Sequence, residues 1–213
     1  MLRLIILPVA LFVLLGLLVI PAAFTTRSFL NLFQIPGEIF RVMGQKALRR
    51  NHALEHATIN VLEERYGRGK LAGSACEEGF RLWGFRNLGA PVLEEASRTG
   101  LARLRAGEKS LAIHDRCGTS LMTANLISSV VFLLLLWRTG LFNLAALVVT
   151  LLLANLVGPL FGRAVQGYFT VSTDVEDMEI VGVEYGPEFP GPLPLSPRWA
   201  LIRTSNLRAG LRS

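Results

Sequence analysis

"LMTANLISSVVFLLLLWRTGLFNLAALVVTLLLANLVGPLF", residues 121–161, decides the fold class. It holds two apolar runs, 121–137 and 141–161, parted only by "RTG". A helix needs roughly 20 apolar residues to cross the hydrocarbon layer; the second run reaches that length and the first falls slightly short. With so short a connection they read as an antiparallel transmembrane hairpin. A third run, "LIILPVALFVLLGLLVIPAAF" (4–24), is uncharged and full length. "VIPAAFT" has the small residues of a signal cleavage site. Yet the apolar stretch exceeds the ~7–15 residues of a signal core, so an uncleaved first helix is expected. The expected fold class is a membrane protein of about three transmembrane helices, with a small α+β cytoplasmic domain inserted between spans one and two.

Charge sets the expected orientation. Segment 25–118 carries 15 Lys and Arg, whereas the connection between the last two spans carries only Arg138. Basic residues stay on the cytoplasmic side, which predicts a multi-pass protein of the bacterial inner (cytoplasmic) membrane with its main domain facing the cytoplasm. The net charge of +6 then follows from topology and anionic lipid headgroups. The lipid bilayer is the expected partner; nucleic acid is not. Cys76 and Cys117 both fall in the cytoplasmic segment, where a reducing compartment argues against a disulfide. No acid or base lies inside any span, which argues against a proton-coupled transporter. Asn125 and Asn155 lie inside spans two and three and are expected to hydrogen-bond between helices.

Four segments are expected. Residues 1–24 are the first transmembrane helix. Residues 25–118 are the cytoplasmic domain, opening with an interfacial segment, "TTRSFLNLFQIPGEIFRVMG". Residues 119–163 are the hairpin, and 164–213 a cytoplasmic tail. Within the domain, "QKALRRNHALEHATINVLEERY" (45–66) has apolar residues at helical spacing, and Gly67 supplies its stop. "GFRLWGF" (79–85) reads as one strand of a hairpin, "VLEEASRTGLARLRAG" (92–107) as a second helix and "SLAIH" (110–114) as a strand. In the tail, "TVSTDVEDMEIVGVEY" (170–185) supplies a strand or two. "GPEFPGPLPLSPR" (186–198) reads as an extended linker, and the final basic stretch carries no signal.

The chain has three histidines, and they fall in two tight clusters. "HALEH" (52–56) places His52, Glu55 and His56 on one helix face about 100° wide, since each residue advances about 100°. Imidazoles at i and i+4 can bind one zinc ion from the same side, with the carboxylate serving a water on the metal. The order is H-x-x-E-H, the inverse of the zincin motif. A third ligand is expected from His114 or Cys117 in "HDRCGTS" (114–120), at the mouth of span two. Thr119 or Ser120 as caps would put Cys117 at a helix N-terminus, which favours thiolate. Cys76 in "SACEEG" is a weaker candidate for a fourth ligand. Without metal, the histidines would be interfacial and Glu55 would pair with Arg49 or Arg50 along the helix.

"RNHALEHATI", "GFRLWGF", "LRAGEKSLAIHDRCGTS" and "STDVEDMEIVGV" together resemble an uncharacterised bacterial integral-membrane family known only as a domain of unknown function. They resemble more distantly a second such family, some of whose members are labelled predicted metal-dependent enzymes. The resemblance covers most of residues 45–185. It implies an E-H helix and an H-x-x-C-G-T turn, carried here by Glu55, His56, His114, Cys117, Gly118 and Thr119, with Asp115 where proline is expected. It implies no reaction. Similarity to the inverted-zincin peptidases is confined to "HALEH". Their distal glutamate ligand has only Glu63, Glu64, Glu176 or Glu179 as counterparts, so a pitrilysin-like fold is not expected.

The functional expectation is a membrane-anchored, zinc-dependent hydrolase, most plausibly a peptidase on a membrane-associated protein. His52, His56 and His114 or Cys117 would bind zinc, and Glu55 would act as general base. Two alternatives stand beside it. One is a non-enzymatic scaffold or assembly factor with a structural zinc site. The other is a metal-free cysteine hydrolase using Cys117 and His114.

Overall fold

The computed structural model describes residues 2–69, 71–84, 88–139, 144–186 and 199–206. Within them, three helices are long and apolar enough to cross a membrane: Ile6–Gly44, Gly118–Thr139 and Leu147–Thr170. By backbone, α1 is Leu2–Gly44, α4 is Gly118–Thr139 and α5 is Leu144–Val165. Residues 25–44, expected as a separate interfacial segment, continue α1 without a break. The chain divides into two units, Met1–Ile39 with Gly118–Ala164, and Phe40–Cys117 with Val165–Ser213.

The first unit is the apolar one. α4 and α5 run antiparallel, as the short connection predicted, and small residues let them approach. A Cβ on Gly158 would stand 2.5 Å from Ala124 Cβ, and one on Gly162 2.7 Å from Ser120 Cα. Each helix thus offers small residues four apart to the other, the usual way membrane helices bring their backbones close. α1 joins through Phe24, edge-on to Phe132 at 4.7 Å, and through Asn31, whose amide donates to Ser129 Oγ at 3.0 Å. That bond replaces the expected Asn125–Asn155 link. Asn125 is exposed, and Asn155 bonds its own helix at Leu151 O.

The second unit is two-layered. Its sheet, in order β1-β2-β4-β3, is antiparallel throughout: β1 Ala72–Cys76, β2 Gly79–Trp83, β3 Met178–Tyr185 and β4 Trp199–Asn206. α2 (Lys46–Tyr66) lies over β1 and β2, and α3 (Ala90–Arg105) over β3 and β4. The helices meet at Gly100, where an added Cβ would stand 3.1 Å from the Ala57 carbonyl carbon. Leu54, Leu62, Phe80, Leu82, Leu93, Ile180 and Ile202 are fully buried between the layers. Each such side chain contributes about 1.5–3 kcal/mol. Arg50 and Asn51 tie α2 to the sheet. Arg50, itself buried, pairs with Asp177 and donates to Asn206 Oδ1, and Asn51 donates to the Cys76 and Glu77 carbonyls while accepting from Thr204.

The architecture corrects the expected order of segments. The α+β unit is not a simple insertion between spans one and two, because half of its sheet comes from the tail. β4 pairs with β2 in the centre and carries β3 outside it. The stretch 199–206 had only a weak signal: "WALI" is a short continuous apolar run, as suits a central strand, and Ala200, Leu201 and Ile202 are all buried. "SLAIH" is also not a strand. Lys109–Ala112 is a single 3-10 turn, because the carbonyls of Leu111, Ala112 and Ile113 accept from α2 side chains in place of a neighbouring strand. The expected linker, 186–198, lies outside the described residues from 187 onward.

Candidate metal centre

The centre lies wholly within the second unit and is built on α2. His52, His56 and Asn60 follow one another at steps of four and so form a stripe facing the 109–117 segment. Asn60 donates to the Leu111 and Ile113 carbonyls at 3.0 and 3.1 Å. His56 donates from Nδ1 to Ala112 O at 2.7 Å, and His52 from Nδ1 to Thr170 O at 3.0 Å. A carbonyl can only accept, so each bond places a proton on Nδ1, and in His56, which burial holds neutral, Nε2 is left as a lone pair. Metal-binding histidines are held in this manner. His52 Nε2 stands 3.2 Å from Cys117 Sγ. One ligand atom each from His52, His56 and Cys117 lies within 4.8 Å of the others. In a tetrahedral zinc site, bond lengths of about 2.0–2.3 Å put ligand atoms about 3.3–3.6 Å apart, so modest adjustment brings the three onto one ion.

The donor set fits a metal on a second ground. His56 is 1% exposed and its Nε2 has no hydrogen-bond partner among the described residues. Burial, with His52 beside it, holds its pKa well below the ordinary range, so the ring stays a neutral donor. Glu55, 4% exposed, likewise has Oε2 without a partner among the described residues. Burial pushes its carboxyl up to about 8, with Cys117 adding to the rise and His52 and the Ala75 N–H opposing it. Two polar atoms on adjacent residues are thus buried unpaired beside a thiol, which costs about 1–3 kcal/mol each unless something completes them. Gly73 on β1 makes room for the glutamate, because a Cβ there would stand 2.3 Å from Glu55 Oε1.

The remaining candidates fall outside the ligand group. His114 lies against the ring of His56, centroids 5.9 Å apart. Its Nδ1 accepts from the Arg116 N–H at 3.3 Å and its Nε2 is 3.6 Å from Glu63 Oε2. His114 fronts a surface cleft of about 230 Å³ lined also by Asn60, Glu63, Arg68 and Arg116. Of the two third ligands left open by the sequence, Cys117 is the one that converges. Cys76 on β1 is outside the group, and Glu63 and Glu64 are paired with Arg116 and Arg103. Glu176 and Glu179 are exposed. The imidazole beside Cys117 is His52, so a cysteine nucleophile would have that base and not His114. Sequence reasoning missed the carbonyls of Ala112 and Thr170, which carry no residue signature, and Gln166, whose buried amide grips the backbone of His114.

A small α+β unit carrying a candidate two-histidine, one-cysteine metal centre, joined to three helices apolar enough to span a bilayer, is the class these features define. The chain belongs to a family described as a domain of unknown function (DUF6391), matched over residues 47–183, from α2 to β3. It is similar to an uncharacterised protein of Picosynechococcus sp., 39% identical over 101 residues that cover 41% of this chain and 48% of the relative. The chain spans about half the length of that curated relative. No solved structure matches.

Proposed function

We propose that this protein is a membrane-anchored, zinc-dependent hydrolase acting on a membrane-associated substrate, with a peptide bond as the most fitting target. The carrying observation is the pair of buried, unpartnered polar atoms, His56 Nε2 and Glu55 Oε2, beside Cys117 and His52. Two imidazoles and a thiolate suit zinc, and three protein ligands leave a fourth position open, as in catalytic sites. Bound there, zinc supplies a Lewis acid that polarises the bond to be broken. Glu55 stands outside the ligand group and takes the proton of the attacking water. The cleft beside His114 is the substrate's approach. Cys117 directly precedes α4 in the sequence, one of the three apolar helices, and this supports a membrane-associated substrate.

A second reading, a structural zinc site in a non-enzymatic scaffold, is favoured by burial, with His56 and Cys117 only 1% and 7% exposed. Glu55→Gln separates the two. The hydrolase reading predicts that the variant retains its metal and loses at least about 100-fold of its activity on a peptide library in lipid vesicles. Under the structural reading, neither protein cleaves anything, and stripping the ion unfolds the second unit.

A further inference from the structure

We infer that Gln166 is a positioning residue of the metal centre, and that the turn it opens braces two ligands at once. The inference rests on the metal reading above and assigns a role to a residue outside the ligand set. α5 ends in a single π-helical turn, Gln166–Thr170, closed by the Val171 N–H donating to Gln166 O at 3.0 Å. Such wide turns recur at functional sites. At its first residue, the fully buried Gln166 side chain accepts from the His114 N–H and donates to the His114 carbonyl, both at 3.1 Å. The same His114 carbonyl accepts the Cys117 N–H at 3.3 Å and so closes the turn that presents the thiol. Gln166 therefore holds the carbonyl on which the placement of Cys117 depends. At the last residue of the π-turn, the Thr170 carbonyl accepts from His52 Nδ1 and fixes which nitrogen faces the thiol. His52 and Cys117 approach the centre from different segments, and one five-residue turn sets both.

Two of these contacts are backbone carbonyls that no substitution removes, but Gln166 can be changed. Gln166→Met keeps the volume and removes both hydrogen bonds. Gln166→Glu, when ionised, keeps an acceptor for the His114 N–H and loses the donor to the His114 carbonyl. The test is a Co²⁺ titration of the full chain in detergent, reading affinity and sulfur-to-cobalt charge-transfer absorption, with thermal unfolding alongside. Orienting partners of metal ligands are worth about 10–100-fold in affinity. Gln166→Met is expected to bind Co²⁺ at least tenfold more weakly, with a reduced sulfur band per bound ion, and Gln166→Glu to fall between. Wild-type affinity and an undiminished band in Gln166→Met would overturn the assignment, even if its melting temperature dropped. If Gln166→Met fails to fold, Gln166→Glu decides alone by the same criteria. A wild-type protein that binds no Co²⁺ would instead sink the metal reading itself.

Discussion

Glu55→Gln in chelator-treated protein should stabilise the fold at neutral pH and have little effect in acid. The folded state holds the Glu55 proton up to about pH 8, chiefly because the carboxyl is buried, against an ordinary value of 4.5. Above pH 4.5 the unfolded chain binds fewer protons than the folded one at this site, so stability falls as pH rises, by about 1.4 kcal/mol per unit. From 4.5 to 7 that loss is about 3 kcal/mol. Glutamine carries no such proton, so the variant lacks the slope. His56 pulls the other way below its ordinary value of 6.5, being held neutral by burial, but it is common to both proteins and cancels in the difference. Thermal unfolding in detergent, followed by fluorescence of Trp83 and Trp199 in the sheet, should show the variant roughly 6–12 °C above wild type at pH 7. At pH 4.5 the two should nearly coincide. Adding zinc should shrink the difference at pH 7, because a cation beside the carboxylate supports its charged form. A difference that is flat between pH 4.5 and 7, or that narrows as pH rises, would refute the account of Glu55.

Other parts of the fold carry their own tests. Arg50→Met should cost about 3 kcal/mol by leaving the Asp177 carboxylate without its buried partner, read as a lowered midpoint in chemical denaturation. A chain ended after residue 198 lacks β4, the strand pairing with both β2 and β3. It should lose the second unit altogether, seen as protease sensitivity of residues 46–117. Gly100→Val forces side-chain atoms against the Ala57–Thr58 backbone and should destabilise by about 1–3 kcal/mol, whereas Gly107→Ala, with nothing within 4 Å of its Cβ, meets only its positive φ and should cost less.

Much of this was legible in the chain. Apolar length alone identifies the three long helices, and the helix carrying "HALEH" has the expected bounds within a residue. The spacing of His52 and His56 puts both imidazoles on one face, their ring centroids 4.4 Å apart, because 3.6 residues per turn stacks i over i+4. Three things were not legible. The central strand β4 follows a proline-rich stretch and opens on a run of only four apolar residues, Trp199 to Ile202, so it carries little weight until β2 and β3 are seen to need a partner between them. "SLAIH" has strand composition, but Asn60 and His56 take its carbonyls first. The choice of Cys117 over His114 goes with the way the turn is held: the Arg116 N–H donates to His114 Nδ1, and Gln166 exchanges two hydrogen bonds with the His114 backbone, a long-range contact invisible to spacing.

The most direct test of the metal centre is the metal content of the detergent-purified full chain, measured by elemental analysis beside His52→Ala/His56→Ala and Cys117→Ser. The account predicts about one zinc per chain, lost in the double variant and reduced in Cys117→Ser, while His114→Ala keeps its metal. No metal in the wild type after dialysis against zinc, or a zinc content lost with His114 and untouched by Cys117→Ser, would contradict it.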